Sequence, residues 1–196
     1  STLFPYTTLF RSFKKFTIKE IVYLSIISII SILGSSVMML VVPLVTQIYG
    51  IAQLVTSFQV SILFSIGLFK VRKPGSILYM ALFMGAVMVF MSFIMFVVFL
   101  TAGLLVEGLG LLIFRKSESN LSVIVKTTLF MPLTLPLNFL LNLILAEEVQ
   151  IKLISKVPWI TVVVTLAVIL ISLLGSFLGV LISKEIKKAK ESKDEE

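Results

Sequence analysis

A run of 39 residues with a single charge, residues 76–114, sets the tightest limit on how this chain can fold. As one α-helix the run would be about 58 Å long, whereas the hydrocarbon core of a bilayer is about 30 Å thick. Two short antiparallel helices joined by a tight turn fit this length. We place the turn near Ser92, although no glycine or proline marks it there. The run therefore predicts a helical hairpin inside a membrane.

The composition of the whole chain supports the same class of fold. Hydrophobic residues make up 58% of the sequence, charged residues make up 14%, and the mean hydropathy is +1.13. Soluble globular domains are about 45–50% apolar and about 25% charged, so these values exclude a water-soluble fold. We expect one all-α, polytopic membrane domain.

Missing residue types narrow the range of functions. The sequence has no His and no Cys, which rules out thiol or imidazole nucleophiles, Cys/His zinc sites, disulfides and haem ligation by His. Of the ten acidic residues, only Glu107 lies inside a long apolar run. Acid–base or metal-assisted catalysis within the membrane therefore has almost no groups to use. We expect the protein not to be an enzyme and to need no cofactor or metal.

Four further apolar runs reach the length of about 20 residues that a transmembrane helix needs. They are residues 21–42, 44–69, 123–145 and 159–182. Together with the hairpin they predict a bundle of six transmembrane helices. In this bundle Trp159 lies at the outer interface, where an indole ring is favoured.

The distribution of basic residues orients the predicted bundle. With six crossings and a cytoplasmic start, 14 cations lie on the cytoplasmic side, whereas Lys152 and Lys156 lie outside. The cytoplasmic set is Lys14, Lys15, Lys19, Lys70, Arg72, Lys73, Arg115, Lys116, Lys126 and five lysines of the C-terminal tail. Because basic residues accumulate on the cytoplasmic side of membrane proteins, we predict a multi-pass cell-membrane protein with both termini cytoplasmic. The net charge of +7 follows from this topology and requires no nucleic-acid partner.

The two ends of the sequence differ from the bundle. Residues 2–12, TLFPYTTLFRS, resemble the in-frame translation of a sequencing adapter, the alternative being a short polar lead-in. We expect residues 1–12 to be a non-native artefact, with the native sequence beginning at or before Phe13. The transmembrane domain then covers residues 13–183, and residues 184–196 form a charged cytoplasmic tail that extends the last helix.

The first predicted helix carries small polar residues along one side. Ser25, Ser28 and Ser35 fall close to one face at helical spacing, and Ser31 and Ser35 form a small-xxx-small pair. Small residues let two helix backbones approach closely in lipid. This serine stripe either packs within the bundle or docks a partner membrane subunit.

Glu107 lies in the segment LLVEGLGLLIF, about two turns from the cytoplasmic end of the fourth predicted helix. An ionisable group at that depth is costly and usually faces the bundle or a wet cavity. Two interpretations remain open at this point. Glu107 either takes part in a proton relay, or it reaches toward the interface or pairs with a basic loop residue.

The fifth predicted helix contains the segment PLTLPLNFLLN. Pro132 and Pro136 each remove a backbone donor, which predicts a kink and free carbonyl acceptors on the bundle side. Such a kinked helix, with polar groups gathered below the outer loops, suits a small-molecule pocket. The alternative is that these polar groups lie at the interface and meet lipid headgroups. The predicted substrate-binding residues are Asn138, Asn142, Gln47, Gln53, Tyr49, Trp159 and Glu147.

Several segments together resemble the substrate-binding S components of energy-coupling factor transporters. They are the lead-in KKFTIKEIVYLSIIS and the segments KPGSILYMALFMGAVM, LLVEGLGLLIFRKS and LFMPLTLPLNFLLN, which look most like the group called MptD or Trep_Strep. The resemblance implies a subunit that binds a vitamin or other micronutrient and works with a membrane coupling subunit and two ATPase subunits. In that family an Ala-xxx-Ala motif on the first helix docks the coupling subunit. Its nearest counterpart here is Ser31-xxx-Ser35, which departs from alanine.

Two hypotheses for function follow from these observations. In the first, the chain is the substrate-binding integral membrane subunit of an energy-coupling factor importer. In the second, it is a non-transport integral membrane scaffold or assembly protein. No GxxxxGK[ST] phosphate loop is present in the sequence, so ATP hydrolysis by that mechanism would have to come from another subunit.

Overall fold

The computed structural model describes residues 15–39, 49–90, 92–114, 119–145 and 158–194, and every regular element among them is an α-helix. The helices are α1 (Ile18–Met39), α2 (Ile51–Lys70), α3 (Ser76–Met88), α4 (Phe93–Phe114), α5 (Asn120–Ile144) and α6 (Pro158–Asp194). The prediction of an all-α, six-helix bundle is confirmed. Helices α1, α2, α4, α5 and α6 are long and apolar enough to cross a bilayer, whereas α3 is shorter.

Helix α2 lies at the centre of the bundle and packs against α1, α5 and α6. Helices α3 and α4 pack against each other, α3 also contacts α1, and α4 also contacts α5. At one end of the bundle, here called the cationic end, the loop after α2 lies next to the starts of α1 and α5. There Lys73 Nζ lies 2.6 Å from Glu20 Oε2, and Arg72 Nη2 donates to Asn120 Oδ1 at 2.8 Å. Residues 70–73 and the start of α5 therefore share one end, as the sequence predicts.

The predicted hairpin is present, and its turn lies where the sequence analysis places it, next to Ser92. Helix α3 ends at Met88 and α4 begins at Phe93. The backbone N–H of Val89 donates to Gly85 O at 3.0 Å, and that of Ser92 donates to Met88 O at 2.8 Å. The chain can thus turn here without a glycine or proline. The two arms are unequal rather than both short, because α3 has 13 residues and α4 has 22.

Helices α2 and α6 run parallel and in unusually close contact, which we call the glycine seam. An ideal Cβ built on Gly175 would lie 2.6 Å from the Phe58 carbonyl oxygen, and one built on Gly179 would lie 2.6 Å from the Ile62 carbonyl oxygen. Glycines four residues apart allow such an approach of two backbones in lipid. This seam was not predicted in the sequence analysis.

The seam continues into a buried cluster of hydroxyl groups. Ser65 of α2 and Ser176 of α6 each lie 2.8 Å from the Thr127 hydroxyl of α5. These bonds satisfy hydroxyls away from water and join three helices at one point.

Large apolar side chains are exposed along the outer faces of the helices. On α6 they include Val162, Val163, Leu166, Leu170, Leu173, Leu174 and Phe177. Apolar residues on this scale are stable in contact with lipid acyl chains and unfavourable in contact with water. With the five long apolar helices, they identify the chain as a multi-pass integral membrane protein. Beyond the apolar part, α6 continues as a charged helix to Asp194, and it is exposed from Lys184 to Ser192.

Candidate binding site

The candidate site is built around α5, which remains one helix although it contains Pro132 and Pro136. A proline lacks the N–H that would bond the carbonyl one turn earlier, so such a helix needs donors from elsewhere. The hydroxyl of Tyr49 donates at 2.7 Å to a different carbonyl of this stretch, that of Leu135, rather than to the carbonyls of Thr128 and Pro132 that the prolines leave without a donor. Tyr49 precedes α2, so this bond joins the start of α2 to the second half of α5.

Beyond the prolines, Asn138 and Asn142 form a buried amide pair. Their exposed fractions are 4% and 3%. Asn142 Nδ2 donates to the Asn138 backbone oxygen at 2.7 Å and to Asn138 Oδ1 at 2.9 Å. Both bonds use the nitrogen of Asn142, so its carbonyl oxygen takes no part in them. The prediction that both amides lie on one face of α5 is confirmed.

Tyr49 closes this group and completes what we call the amide cluster, which consists of Tyr49, Asn138 and Asn142. The Tyr49 ring meets the ring of Phe139, the residue after Asn138, edge-on with centroids 6.4 Å apart. Burial raises the pKa of Tyr49 to about 12, so the hydroxyl stays protonated and remains a donor. The three side chains are neutral and hydrogen-bonding, and they lie at the end of the bundle opposite the cationic end.

The structure does not join the other predicted substrate-binding residues to the amide cluster. Gln53 lies one turn after Tyr49 on α2 and is half-buried. Trp159, at the start of α6, has 66% of its side chain exposed. Gln47 and Glu147 lie outside the described residues. A common cavity lined by Asn138, Asn142 and at least one of Gln47 and Gln53 therefore stays a prediction. Burial of the amide pair disfavours the alternative of amides that face lipid headgroups.

Glu107 pairs with Lys126, a residue that the sequence predicts on the cytoplasmic side rather than inside the bundle. Lys126 Nζ lies 2.7 Å from Glu107 Oε1, with side-chain exposures of 2% and 7%. The charge distribution predicts Lys126 on the cytoplasmic side, but the side chain is buried within the bundle on α5. It fits there because Gly110 of α4 leaves room, and a Cβ at that position would overlap the Lys126 side chain. Of the two earlier interpretations, pairing with a basic residue is the arrangement present, and the residue comes from a helix rather than a loop.

A sequence signal for this pair exists. Glu107 lies about two turns before the end of α4, and Lys126 lies about two turns after the start of α5. A short connection makes successive helices antiparallel neighbours, so the two residues fall at similar depth. An isolated charge in the membrane requires a partner of opposite sign at that depth, and Lys126 is the residue that meets the requirement.

The serine stripe of α1 faces the chain's own helices. Ser28, Ser31 and Ser35 are buried, and Ser25 is half-buried. Ser28 Oγ lies 2.9 Å from Leu24 O and 3.3 Å from Met80 O of α3. This arrangement favours the interpretation of packing within the bundle. A docking role for the stripe stays a prediction.

Comparisons of the chain with protein-family models, with curated proteins and with solved structures found no match.

Proposed function

We propose that this chain is the substrate-binding membrane subunit of an energy-coupling factor importer for a vitamin or another micronutrient. The observation that carries the proposal is the amide cluster, because three neutral hydrogen-bonding side chains are buried together at one end of an apolar bundle. Polar groups within a membrane protein are costly and usually mark a substrate path or site. A few such groups in apolar surroundings orient a small molecule.

The proposed topology puts the amide cluster at the outer side and the cationic end in the cytoplasm. A ligand would then be captured from outside, next to the outer loops. Since the sequence lacks a phosphate loop for ATP, the proposal requires a membrane coupling subunit and two ATPase subunits.

The test is ligand retention by the purified protein, followed by substitution of the amides. Native mass spectrometry of the protein in mild detergent identifies a retained small molecule, and a panel of vitamins is screened for a rise in melting temperature. Asn138→Leu and Asn142→Leu should each weaken binding by about 1–3 kcal/mol, or about 5- to 150-fold. Folding should survive, because leucine is stable in an apolar environment.

The matched control is Asn120→Leu, the same chemical change at the cationic end of the same helix. This variant should bind the ligand like the parent. If both amide-pair variants retain parental affinity, the site is wrong. If the protein is always isolated alone and no compound raises its melting temperature, the importer proposal should be abandoned.

A second candidate function, a non-transport membrane scaffold or assembly protein, is favoured by one observation. The serine stripe is the nearest counterpart of the family's docking motif, but it contacts α2 and α3 of the same chain. It is therefore less accessible to a coupling subunit. Co-purification separates the two candidates, because an importer subunit should bring a coupling subunit and ATPases with it and a scaffold should not.

A further inference from the structure

The cationic end carries more positive charge than its own carboxylate neutralises. Around the start of α1 and the end of α2, the described residues include one acidic residue, Glu20, and five basic residues. The basic residues are Lys15, Lys19, Lys70, Arg72 and Lys73. Glu20 is paired with Lys73, whose Nζ lies 2.6 Å from Glu20 Oε2. Lys19 and Lys70 are exposed, and neither forms an ion pair within the part of the chain that the structure describes. Both cations can therefore meet an anion from outside the chain.

The Lys70 ammonium lies where the end of α2 meets α1. Its Nζ is 3.9 Å from the centroid of the Tyr23 ring of α1. A cation over an aromatic face is attracted by the ring's electrons, most strongly away from water. The two helices stay in contact one turn deeper, where the Cβ position of Gly67 lies 3.5 Å from Ile27 Cγ2. Lys19 precedes Tyr23 by one turn on the same side of α1, with Cβ atoms about 5–6 Å apart. The Lys19 and Lys70 side chains can therefore reach one headgroup beside this ring.

Apolar surfaces of both helices lead to the two lysines. The exposed residues that follow Lys19 on one face of α1, at alternating spacings of three and four, are Val22, Ile26, Ile29 and Leu33. On α2, the half-buried residues Leu63 and Ile66 precede Lys70 at the same spacing. We call this surface the lysine groove: Lys19, Tyr23 and Lys70 at one end, and these apolar residues along its length. Acyl chains favour such an apolar surface, and its charged end lies at the level of the headgroups.

We propose that the lysine groove binds an anionic phospholipid. The phosphate lies between the ammonium groups of Lys19 and Lys70, and the acyl chains lie along the groove. A zwitterionic headgroup brings its own cation, so it gains less from two lysines than an anionic headgroup does. Basic pockets between transmembrane helices are suited to anionic headgroups for this reason. The site lies at the end of the bundle opposite the amide cluster, and it does not depend on the proposed function.

The experiment identifies the lipid in the groove by quenching of a single tryptophan. Trp159 is the only tryptophan of the sequence, so it is replaced by phenylalanine, and Tyr23→Trp places the probe in the groove with an aromatic ring for Lys70. The matched control is Val37→Trp, which lies five turns further on the Lys19 face of α1 and is 65% exposed. No charged residue occurs between residues 20 and 70 of the sequence. Both variants are reconstituted in phosphatidylcholine vesicles that contain increasing fractions of phosphatidylglycerol or phosphatidylcholine with brominated acyl chains.

At Tyr23→Trp, brominated phosphatidylglycerol should bind better than brominated phosphatidylcholine, by about 5-fold for each of the two lysines at low salt. At Val37→Trp the two lipids should quench equally. In the Tyr23→Trp background, Lys19→Gln and Lys70→Gln should each lower the preference about 5-fold. The control for charge is Lys187→Gln, which removes an exposed lysine that lies 3.5 Å from Glu191 on α6 and should leave the preference unchanged.

Equal quenching by the two lipids at Tyr23→Trp would overturn the proposal, as would an equal preference for phosphatidylglycerol at Val37→Trp. A preference that survives both groove substitutions would overturn it too. If Lys187→Gln lowers the preference as much as Lys19→Gln and Lys70→Gln do, the overall surface charge accounts for binding and the groove is wrong. If Tyr23→Trp does not fold, Ile26→Trp on the exposed face of α1 reports on the same groove.

Discussion

The close packing at the glycine seam between α2 and α6 predicts that adding one methyl group there destabilises the protein. At Gly175 and Gly179 the new Cβ of an alanine would meet a backbone carbonyl oxygen at 2.6 Å, and real Cβ atoms essentially never come closer than 3.0 Å to such an atom. A flexible side chain could move away, but these carbonyls belong to α2 itself. The two helices would therefore have to separate by about 0.4 Å or more along the seam.

The size of the effect follows from this displacement. A gap of about 0.5–1 Å forfeits a quarter to a half of the dispersion energy of each contact, and overpacking of this kind costs about 1–3 kcal/mol. Gly175→Ala and Gly179→Ala should each lower the free energy of unfolding by that amount. The double variant should lose less than the sum of the two, because one separation of the helices relieves both clashes.

The control is the same substitution at Gly108 of α4, where nothing lies within 4 Å of the Cβ position. Gly108→Ala should keep or slightly raise stability, since alanine is favoured over glycine in a helix by about 0.5–1 kcal/mol. Stability is measured by denaturant unfolding in detergent micelles, followed by far-ultraviolet circular dichroism. Equal unfolding midpoints for the Gly108, Gly175 and Gly179 variants would refute the reasoning.

Two further predictions concern the ion pair and the topology. Lys126→Met alone should lower the free energy of unfolding by about 3–5 kcal/mol, because it leaves Glu107 buried without its cation. The double variant with Glu107→Leu should recover most of that loss in the same unfolding assay. Equal loss in the single and double variants would contradict this prediction. Cysteines introduced at Ser119 and Ser155 of this naturally Cys-free chain should be labelled from opposite sides of the membrane by an impermeant maleimide, and labelling from the same side would contradict the predicted topology.

Much of the fold could be predicted because the thickness of the bilayer limits the length of each transmembrane helix. The 39-residue run was too long for one helix, and this alone located the turn near Ser92 without any turn residue. The unequal arms could not be predicted, because apolar composition is uniform on both sides of the turn. Hydrogen bonds of the turn and packing determine where α3 ends, and the hydropathy of the sequence reports neither of them.

The candidate site was predicted in part for a related reason. The spacing of Asn138 and Asn142 is a local property of one helix, so their shared face could be read from the sequence. Lys126 was misplaced because its partner lies on another helix, and a cation near a predicted loop looks like an ordinary topology signal. The GxxxG spacing of Gly175 and Gly179 was visible in the sequence, but the helix that would meet it was not.

Helix α6 gives the bundle a mechanical property. It is continuous over 37 residues, or about 55 Å, whereas about 30 Å is enough to cross the hydrocarbon. Its apolar part is held along the glycine seam, and its shorter charged part is exposed from Lys184 to Ser192. A tilt of the whole bundle by about ten degrees around the first residue of α6 moves the last residue of α6 by about 10 Å. The helix therefore acts as a lever, which turns a small reorientation within the membrane into a large displacement in the aqueous phase.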